Sequence, residues 1–481
     1  MKSDTDDDYQ STEEAMQEAL EVSFASGDTH RRRSSLVTNK FGRPAAYRQA
    51  TSCFVHALLE QQRQGGKFES SDDGAAQGKP SDKEPETPSH NGHHTESRLL
   101  TKKQLSDMAF GIRELSKKLG HIRLHLQVKN VFLLTKAYDE TLIGKTRDLA
   151  CWLLDNKNSA GTAYSVWVEH TLKDDATFDA KGLIEKDESR RDRLRYWTDE
   201  LCRQKPHTFD IALALGGDGT VLYASSLFQR IVPPILSFAL GSLGFLTKFD
   251  YDNHPNILTR AFNEGITLSL RLRFEGTIMR SVKREGREQK SRSLVEELVG
   301  SESEDSHTHR PDHSFNILNE IVIDRGPNAT MSSVEVFGDE EHFTTVQADG
   351  ICVATPTGST AYNLAAGGSL CHPDNPVILL TAICAHTLNF RPIILPDTIV
   401  LRVGIPYDAR ASGWASFDGR QRTELNPGDY VTVSASRFPF PSVLPLDRRS
   451  EDWIDSISRT LNWNSRQRQK AFSEAKKEDT V

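Results

Sequence analysis

An apolar strand, Asp210-Ile-Ala-Leu-Ala-Leu215, empties without a spacer into Gly216-Gly-Asp-Gly-Thr220. A strand that ends in glycines and passes straight into a helix is the joint of a parallel α/β sheet, in which ligands sit beyond the carboxyl ends of the strands. Gly216, Gly217 and Gly219 permit positive φ and bring backbone N–H groups close to an anion, and Thr220 is placed to cap the helix that Val221 begins. Asp218 is out of place in a bare phosphate cradle, because its charge repels the ligand. It is therefore expected to accept a proton from an attacking hydroxyl or to help hold a divalent metal. A plain strand-to-helix turn does not need three glycines around one carboxylate. The spacing is not that of a G-x-G-x-x-G dinucleotide turn, and the Lys of a P-loop is missing.

The hydrophobic period on either side of the turn sets the architecture. Thr101 and Gln104 form a capping box ahead of Leu105, Met108, Ile112, Leu115 and Leu119, a helical stripe that Gly120 closes. Val131–Leu134 reads as a strand, Leu142–Leu154 as a helix, Tyr164–Val168 as a strand and Arg190–Cys202 as a helix. After Ile211–Leu215 come a helix at Val221–Gln229 and a strand at Ile235–Phe238. Gly241-Ser-Leu-Gly-Phe-Leu246 then gives a second glycine-bearing strand end, suited to the opposite wall of the same crevice. From about residue 265 the pattern changes to period two, in Leu268–Phe274, Phe315–Ile323, Ser333–Phe337 and Ile399–Val403.

The expected fold class is thus α/β followed by β: an N-terminal Rossmann-like α/β domain over 101–255 and a C-terminal antiparallel β-sandwich domain over 256–437. An extension over 438–481 is expected to return to the α/β domain and end in a charged tail. Residues 1–100 include a polar tract, Gly65–Ser97, and are expected to be a disordered tail. The charged, Ser-rich segment 283–311 is expected to be a disordered hairpin insertion.

Composition removes several function classes. With 481 residues there is room for two or three domains, and a net charge of -8 argues against general nucleic-acid binding. No apolar run approaches the roughly 18 residues that span a bilayer; the longest candidate, Pro376–Leu388, is broken by His386. The acidic first 30 residues fit neither a transit peptide nor a secretory signal. Six scattered cysteines (Cys53, Cys151, Cys202, Cys352, Cys371, Cys384) lack metal or disulfide spacing, so a reducing, cytoplasmic location is expected. Arg31-Arg32-Arg33-Ser34-Ser35 matches a basic-directed Ser kinase site at Ser34/Ser35, although a solvated charge run is the simpler reading. His90, His93 and His94 have helical spacing in a polar tract and are assigned no site; metal ligands stay unassigned.

Three further clusters place polar side chains beside strong β sequence: Asn319-Glu320, Asp349-Gly350, and Thr355-Pro-Thr-Gly-Ser-Thr-Ala-Tyr-Asn363 leading to Gly367-Gly368. Thr357, Ser359, Thr360 and Tyr362 offer hydroxyls suited to the edge of a base or ribose, and Asn319 can pair with an adenine-like edge. Glu320 and Asp349 suit ribose hydroxyls or a carboxamide. Singly, each cluster reads equally well as turn chemistry at a strand end.

Taken together with His386-Thr-Leu-Asn-Phe-Arg-Pro392, and in this order, the motifs resemble the NAD kinase family from roughly Val131 to Arg437, most of all its cytosolic eukaryotic, fungal branch. The resemblance implies a cleft between the two domains and a homo-oligomer, commonly a tetramer, in which a neighbouring subunit completes the NAD site. It implies that Asp218 activates the 2′-hydroxyl of the adenosine ribose of NAD for attack on the terminal phosphate of ATP-Mg, giving NADP, with Mg²⁺ arriving on the nucleotide. It places Asn319, Thr357, Thr360, Ala361 and Tyr362 on the adenine side of NAD, Glu320 on the ribose and Asp349 on the nicotinamide side. Gly217, Gly219 and Thr220 cradle phosphates, and Phe245 packs near the adenosine.

Two positions depart from the family pattern: Ala348, where Gly is common, and Asn363, where Ser is common. Neither removes a reacting group. Arg391 reads equally as a phosphate ligand or as a strand-end ion-pair partner. Asp418-Gly419 reads as a type I′ hairpin turn, which in the family lies near the dinucleotide. Two other classes fit the glycine-Asp-glycine turn, a lipid kinase with a greasy acceptor and a non-catalytic NAD(P)-sensing scaffold. NAD versus NADH, and ATP versus polyphosphate, stay open.

Overall fold

The computed structural model describes residues 96–135, 140–158, 161–282, 292–299, 308–387, 389–445 and 452–461. The expectations for residues 1–95, Ser34 and Ser35 included, and for the charged tail at 462–481 lie outside the described residues.

The first sheet contains strands β1 (Asn130–Thr135), β2 (Ser165–Glu169), β3 (Leu194–Trp197), β4 (Ile211–Leu215), β5 (Ile235–Ala239), β6 (Phe249–Asp250) and β7 (Thr267–Arg271). Its parallel part runs in the order β3-β2-β1-β4-β5. Strands β4 and β5 are buried along their whole length, as parallel strands covered on both faces must be. The order reverses direction between β1 and β4, and that switch point is where an open parallel sheet leaves a crevice at its carboxyl edge. The Gly216–Thr220 turn leaves β4 at this edge. At the other end of the strand, the Asp210 carboxylate accepts the backbone N–H groups of Lys129 and Asn130 at 2.9 and 2.7 Å, which holds β1 and β4 in register.

The sandwich is built from β8 (Phe274–Ser281), β9 (His309–Ile317), β10 (Glu320–Asp324), β11 (Ser332–Gly338), β12 (Glu341–Ala348), β13 (Gly350–Ala354), β14 (Val377–Ile383), β15 (Ile393–Pro396), β16 (Leu401–Gly404), β17 (Gly413–Phe417), β18 (Gln421–Leu425) and β19 (Tyr430–Ala435). They form two six-stranded antiparallel sheets, β15-β14-β13-β10-β17-β18 and β12-β11-β16-β19-β8-β9. Alternate residues supply the core between them: Ile321 and Ile323, Val334 and Val336, Ile351 and Val353, Val431 and Val433. The last strand, β20 (Phe440–Leu444), returns to the first sheet, parallel to β5 and antiparallel to β7.

Several expectations need correction. Arg190–Cys202 is not one helix. It divides into a 3-10 turn ending at Arg190, strand β3, and a short helix Asp199–Gln204 capped by Thr198. Leu194, Trp197 and Leu201 share helical spacing by accident. Trp197 is instead locked into the sheet, with Nε1 donating to the Leu133 carbonyl at 3.0 Å and its ring 4.7 Å from that of Phe132.

The α/β layer does not stop at 255, because helix His254–Asn263 and β7 belong to it; the sandwich begins at Phe274. Nor is 283–311 a featureless insertion. Residues Leu294–Val299 form a helix whose Leu294 and Leu298, four apart, are buried with Met279, Phe337 and Tyr430, and β9 starts at His309. Order also starts before Thr101, since Ser97 is buried and its backbone N–H donates to Glu275 Oε1 at 2.6 Å.

Candidate active site

The helix after β4 spans Asp218–Leu227, so it begins three residues earlier than the sequence reading placed it. Gly217 is the N-cap, and no side chain caps the helix. Thr220 is therefore not a cap. It lies in the first turn, where its N–H donates to the Gly217 carbonyl at 2.9 Å.

The three glycines also divide by role. Gly216 alone has positive φ, +147°, and a Cβ there would stand 2.3 Å from Thr220 Oγ1. Gly217 and Gly219 have no positive φ and open space around a Cβ, so the protein itself does not require glycine at either. In the expected phosphate cradle, a ligand brought against those N–H groups would require it. Gly216→Ala is accordingly expected to lower thermal stability, whereas Gly217→Ala and Gly219→Ala leave melting within a few degrees of wild type and raise KM for the phosphate donor. Melting curves and initial rates on the three variants check this; equal destabilisation by all three would contradict it.

Asp218 is half-buried and faces the second glycine-bearing loop. Its Oδ2 accepts the N–H of Phe245 at 2.9 Å. Its Oδ1 accepts the N–H groups of Leu246 and Thr247 at 3.0 and 3.1 Å and the Thr247 hydroxyl at 3.3 Å. Gly244 is needed for this approach, because a Cβ there would lie 2.2 Å from Asp218 Oδ1. The carboxylate thus joins the two walls of the crevice. Oδ2, with a single donor, keeps a lone pair for a further hydrogen bond.

Leu318 carries the sandwich onto this surface. It is fully buried in the cluster that contains Val221, Ala224 and Leu227, and Asn319 and Glu320 follow it directly. The three backbone N–H groups of Leu318, Asn319 and Glu320 converge on one carboxylate, Asp418, at 2.8, 2.7 and 3.1 Å. Asp418 and Gly419 have φ of 49° and 66°, the backbone of a type I′ turn, but Asp418 is also a buried anchor for the Asn319-Glu320 pair. Sequence reasoning missed that role. Nothing in an Asp-Gly turn signals that its side chain reaches back a hundred residues.

The Thr357–Thr360 segment is a 3-10 turn that packs on Asn319, with the N–H of Thr355 donating to the Asn319 carbonyl at 2.8 Å. A Cβ on Gly358 would lie 2.2 Å from that carbonyl. Three buried atoms here have no hydrogen-bond partner among the described residues: Asn319 Oδ1, Glu320 Oε2 and Thr357 Oγ1. Orphaned polar atoms cost about 1–3 kcal/mol each, so three of them on Asn319, Glu320 and the turn packed against Asn319 call for a partner that the described residues do not supply.

Thr360 Oγ1 donates to the Thr357 carbonyl at 3.3 Å, Ala361 links the turn to the next short helix, and Tyr362 is exposed. Ser359 is not a ligand group: its hydroxyl donates to the Cys371 carbonyl and accepts the Cys371 N–H, both at 3.0 Å. Asn363 is likewise internal, with Oδ1 accepting the Thr381 hydroxyl at 2.8 Å.

Burial, with the charge of Asp418 adding to it, pushes the Glu320 carboxyl up to about 8, against a lowering contribution from the Tyr362 N–H that it accepts. Burial also raises Asp418, against the pull of its three N–H donors and Arg273. Burial thus favours the protonated form of Glu320, in which a carboxyl can both donate to and accept from a hydroxyl pair.

A carboxyl raised in the fold contributes stability that is present below its unfolded value, near 4.5, and is lost as pH rises through about 8. Wild type is therefore expected to lose stability relative to Glu320→Gln between about pH 5 and 8. Denaturant midpoints of both proteins across that range test the sign; a gap that does not change with pH would contradict it.

Asp349 is not brought to this cluster. It precedes β13, whose Gly350 pairs with Asp324 while Ala354 pairs with Glu320. Asp349 and Glu320 thus lie at opposite ends of the β10–β13 pair, about 17 Å apart at ~3.4 Å per residue. Asp349 Oδ1 accepts from Arg325 Nε at 2.9 Å. Phe245 is half-buried beside Asp218. Arg391 is exposed, and its Nη1 donates to the Phe390 carbonyl at 3.0 Å.

Comparison with known proteins gives consistent matches. Residues 131–266 match the ATP-NAD kinase N-terminal domain and residues 318–444 the ATP-NAD kinase C-terminal domain. The NAD(+) kinase of Saccharomyces cerevisiae is 44% identical over 373 residues, covering 77% of this chain and 66% of that protein. An uncharacterized kinase of Schizosaccharomyces pombe is 43% identical over 371 residues, covering 77% of this chain and 89% of the relative. The crystal structure of yeast NADH kinase complexed with NADH superposes with a TM-score of 0.54 at 28% identity, over 71% of this chain and 89% of that one.

Proposed function

The chain belongs to the ATP-NAD kinase family, and we propose that its cleft transfers the terminal phosphoryl group of ATP to the 2′-hydroxyl of the adenosine ribose of NAD. The enzyme is an NAD kinase. The ribose oxygen forms a new P–O bond, the bond from that phosphorus to ADP breaks, and the hydroxyl proton passes to Asp218 Oδ2. The products are NADP and ADP. Little covalent help is needed from the protein, so positioning and charge stabilisation carry the catalysis.

The observation that carries this reading is the set of orphaned atoms on Asn319, Glu320 and Thr357. An adenosine offers the matching groups, a base edge for Asn319 and Thr357 and vicinal hydroxyls for protonated Glu320. Thr360, Ala361 and Tyr362 complete the adenine side, and the Phe245 ring packs near the adenosine. Gly216, Gly217, Gly219 and Thr220 form the phosphate cradle, aided by the positive end of the Asp218–Leu227 helix. Asp349, at the far end of β13, is assigned to the nicotinamide side, within the span of an extended dinucleotide. A polar cleft of this kind does not suit the greasy acceptor of a lipid kinase.

Magnesium fits this site as a companion of ATP. Among the described residues no group of three His, Cys, Asp or Glu side chains could hold a metal ion. Mg²⁺ commonly keeps its waters and binds through substrate phosphates and one or two carboxylates, a role open to Asp218. When bound it neutralises charge on the transferring phosphates.

A homo-oligomer is proposed from family membership, as is a cytoplasmic location. Among the described residues no helix is long and apolar enough to cross a membrane, and Cys151, Cys202, Cys352, Cys371 and Cys384 are free thiols. The test is an acceptor comparison on the full chain with ATP-Mg: NAD, NADH and sonicated diacylglycerol. Phosphorylation of the dinucleotide alone supports the reading, and phosphorylation of the lipid alone overturns it.

A further inference from the structure

We propose that Arg420, supplied across the cleft by the β-sandwich, binds the phosphates of ATP and stabilises the charge that develops during transfer. This rests on reading the glycine turn as the donor site. Arg420 follows the Asp418-Gly419 turn, which the buried Asp418 fastens to residues 318–320. Its Nη2 donates to the Gly219 carbonyl at 3.2 Å, and its guanidinium carbon lies 4.5 Å from the centre of the Tyr223 ring, four residues along the same helix. The sandwich therefore delivers a cation onto the turn that carries Asp218.

Three features distinguish this cation from a solvated surface charge. Its guanidinium lies over an aromatic face, which limits its rotamers. Both Arg420 and Gly219 are exposed, so a ligand can reach them. Only one of the N–H groups of Arg420 is used within the protein among the described residues, leaving the others for a second acceptor.

The chemistry of the site asks for such a group. The turn offers backbone N–H groups and a helix N-terminus, but its one charged side chain, Asp218, has the same sign as a triphosphate. Phosphoryl transfer spreads negative charge over the equatorial oxygens of the moving group, and a planar guanidinium matches two of them at once. Arg420 remains protonated throughout; the hydroxyl proton goes to Asp218, and no bond is made to Arg420. Because the turn belongs to the α/β layer and Arg420 to the sandwich, a bound triphosphate also ties the two layers together.

The bland alternative is a clasp, in which Arg420 serves only to hold the hairpin against the helix. Steady-state kinetics of the full chain, varying ATP-Mg and NAD separately, decides between them. For Arg420→Ala, kcat/KM for ATP is expected to fall by about 10²-fold while KM for NAD stays within about twofold. Arg420→Lys, a point charge without the fork, is expected to recover about tenfold of that loss. Tyr223→Leu, which removes the platform, is expected to raise KM for ATP several-fold with little change for NAD.

The proposal is overturned if Arg420→Ala keeps kcat/KM for ATP within about threefold of wild type. It is equally overturned if both substrates lose affinity alike while the melting temperature drops, the outcome a clasp predicts. If wild type itself forms no NADP from ATP-Mg, the functional reading fails as well, so the two failures are distinguishable.

Discussion

Asp218→Asn is expected to lower turnover by about 10²-fold or more, with KM for NAD changed far less. An amide cannot take the proton of the 2′-hydroxyl. The structure adds a second consequence. Both oxygens of Asp218 accept hydrogen bonds, from the N–H groups of Phe245, Leu246 and Thr247 and from the Thr247 hydroxyl. An Asn side chain keeps one acceptor and turns an N–H₂ group toward one of those donors, so the 244–247 loop is expected to shift and the melting temperature to fall slightly. Measuring kcat, NAD affinity and melting on one preparation separates the two effects. Turnover within threefold of wild type would remove Asp218 as the base.

Arg273→Met is expected to cost about 3 kcal/mol of stability or more, the scale at which a deeply buried network loses its centre. Arg273 is fully buried between β7 and β8, where the chain crosses from one domain to the other. Its Nε donates to the Phe438 carbonyl at 2.6 Å, Nη1 to the Phe228 carbonyl at 2.9 Å, and Nη2 to those of Gln229 and Arg230, both at 3.2 Å. Burial lowers the guanidinium to about 9, against the pull of the Asp418 charge.

Three of these acceptors, the carbonyls of Phe228, Gln229 and Arg230, follow the carboxyl end of the helix that begins at Asp218, where the dipole is negative. Removing the guanidinium orphans several carbonyls at once and loosens the base of that helix. Arg273→Lys retains charge with fewer donors and is expected to lie between wild type and Met. Denaturant midpoints check the order; a loss below about 1 kcal/mol for Arg273→Met would contradict the assignment.

Residue 273 also shows where sequence reading runs out. Leu268–Phe274 alternates with period two, which assigns Arg271 and Arg273 to a solvent face. Both are buried. The alternation is real, but β7 lies in the first sheet beside β20, a strand that comes from the far end of the chain. No local pattern carries that information.

Strands β1, β2, β4 and β5 were legible because each is a short, largely apolar run bounded by turn residues. β3 was not, because Leu194, Trp197 and Leu201 fit a helix as well as a strand and only the packing of Trp197 decides. At the site, the glycine turn, Asn319-Glu320 and the Thr357 box could be read from residue chemistry. The division of labour within them could not. Ser359 and Thr360 look alike as hydroxyls, yet Ser359 is spent on Cys371. Asp418 and Arg420 read as a hairpin turn because their partners, Leu318 to Glu320 and Gly219, are distant in sequence.

The most direct test of the account follows both products from one reaction mixture. The purified protein is given NAD and ATP-Mg, NADP is read by an NADP-specific dehydrogenase, and ADP is measured in parallel. The account predicts NADP and ADP in equal amounts from wild type and, at matched enzyme and time, about 10²-fold less of both from Asp218→Asn. ADP without NADP, or NADP formation by Asp218→Asn within threefold of wild type, would contradict it.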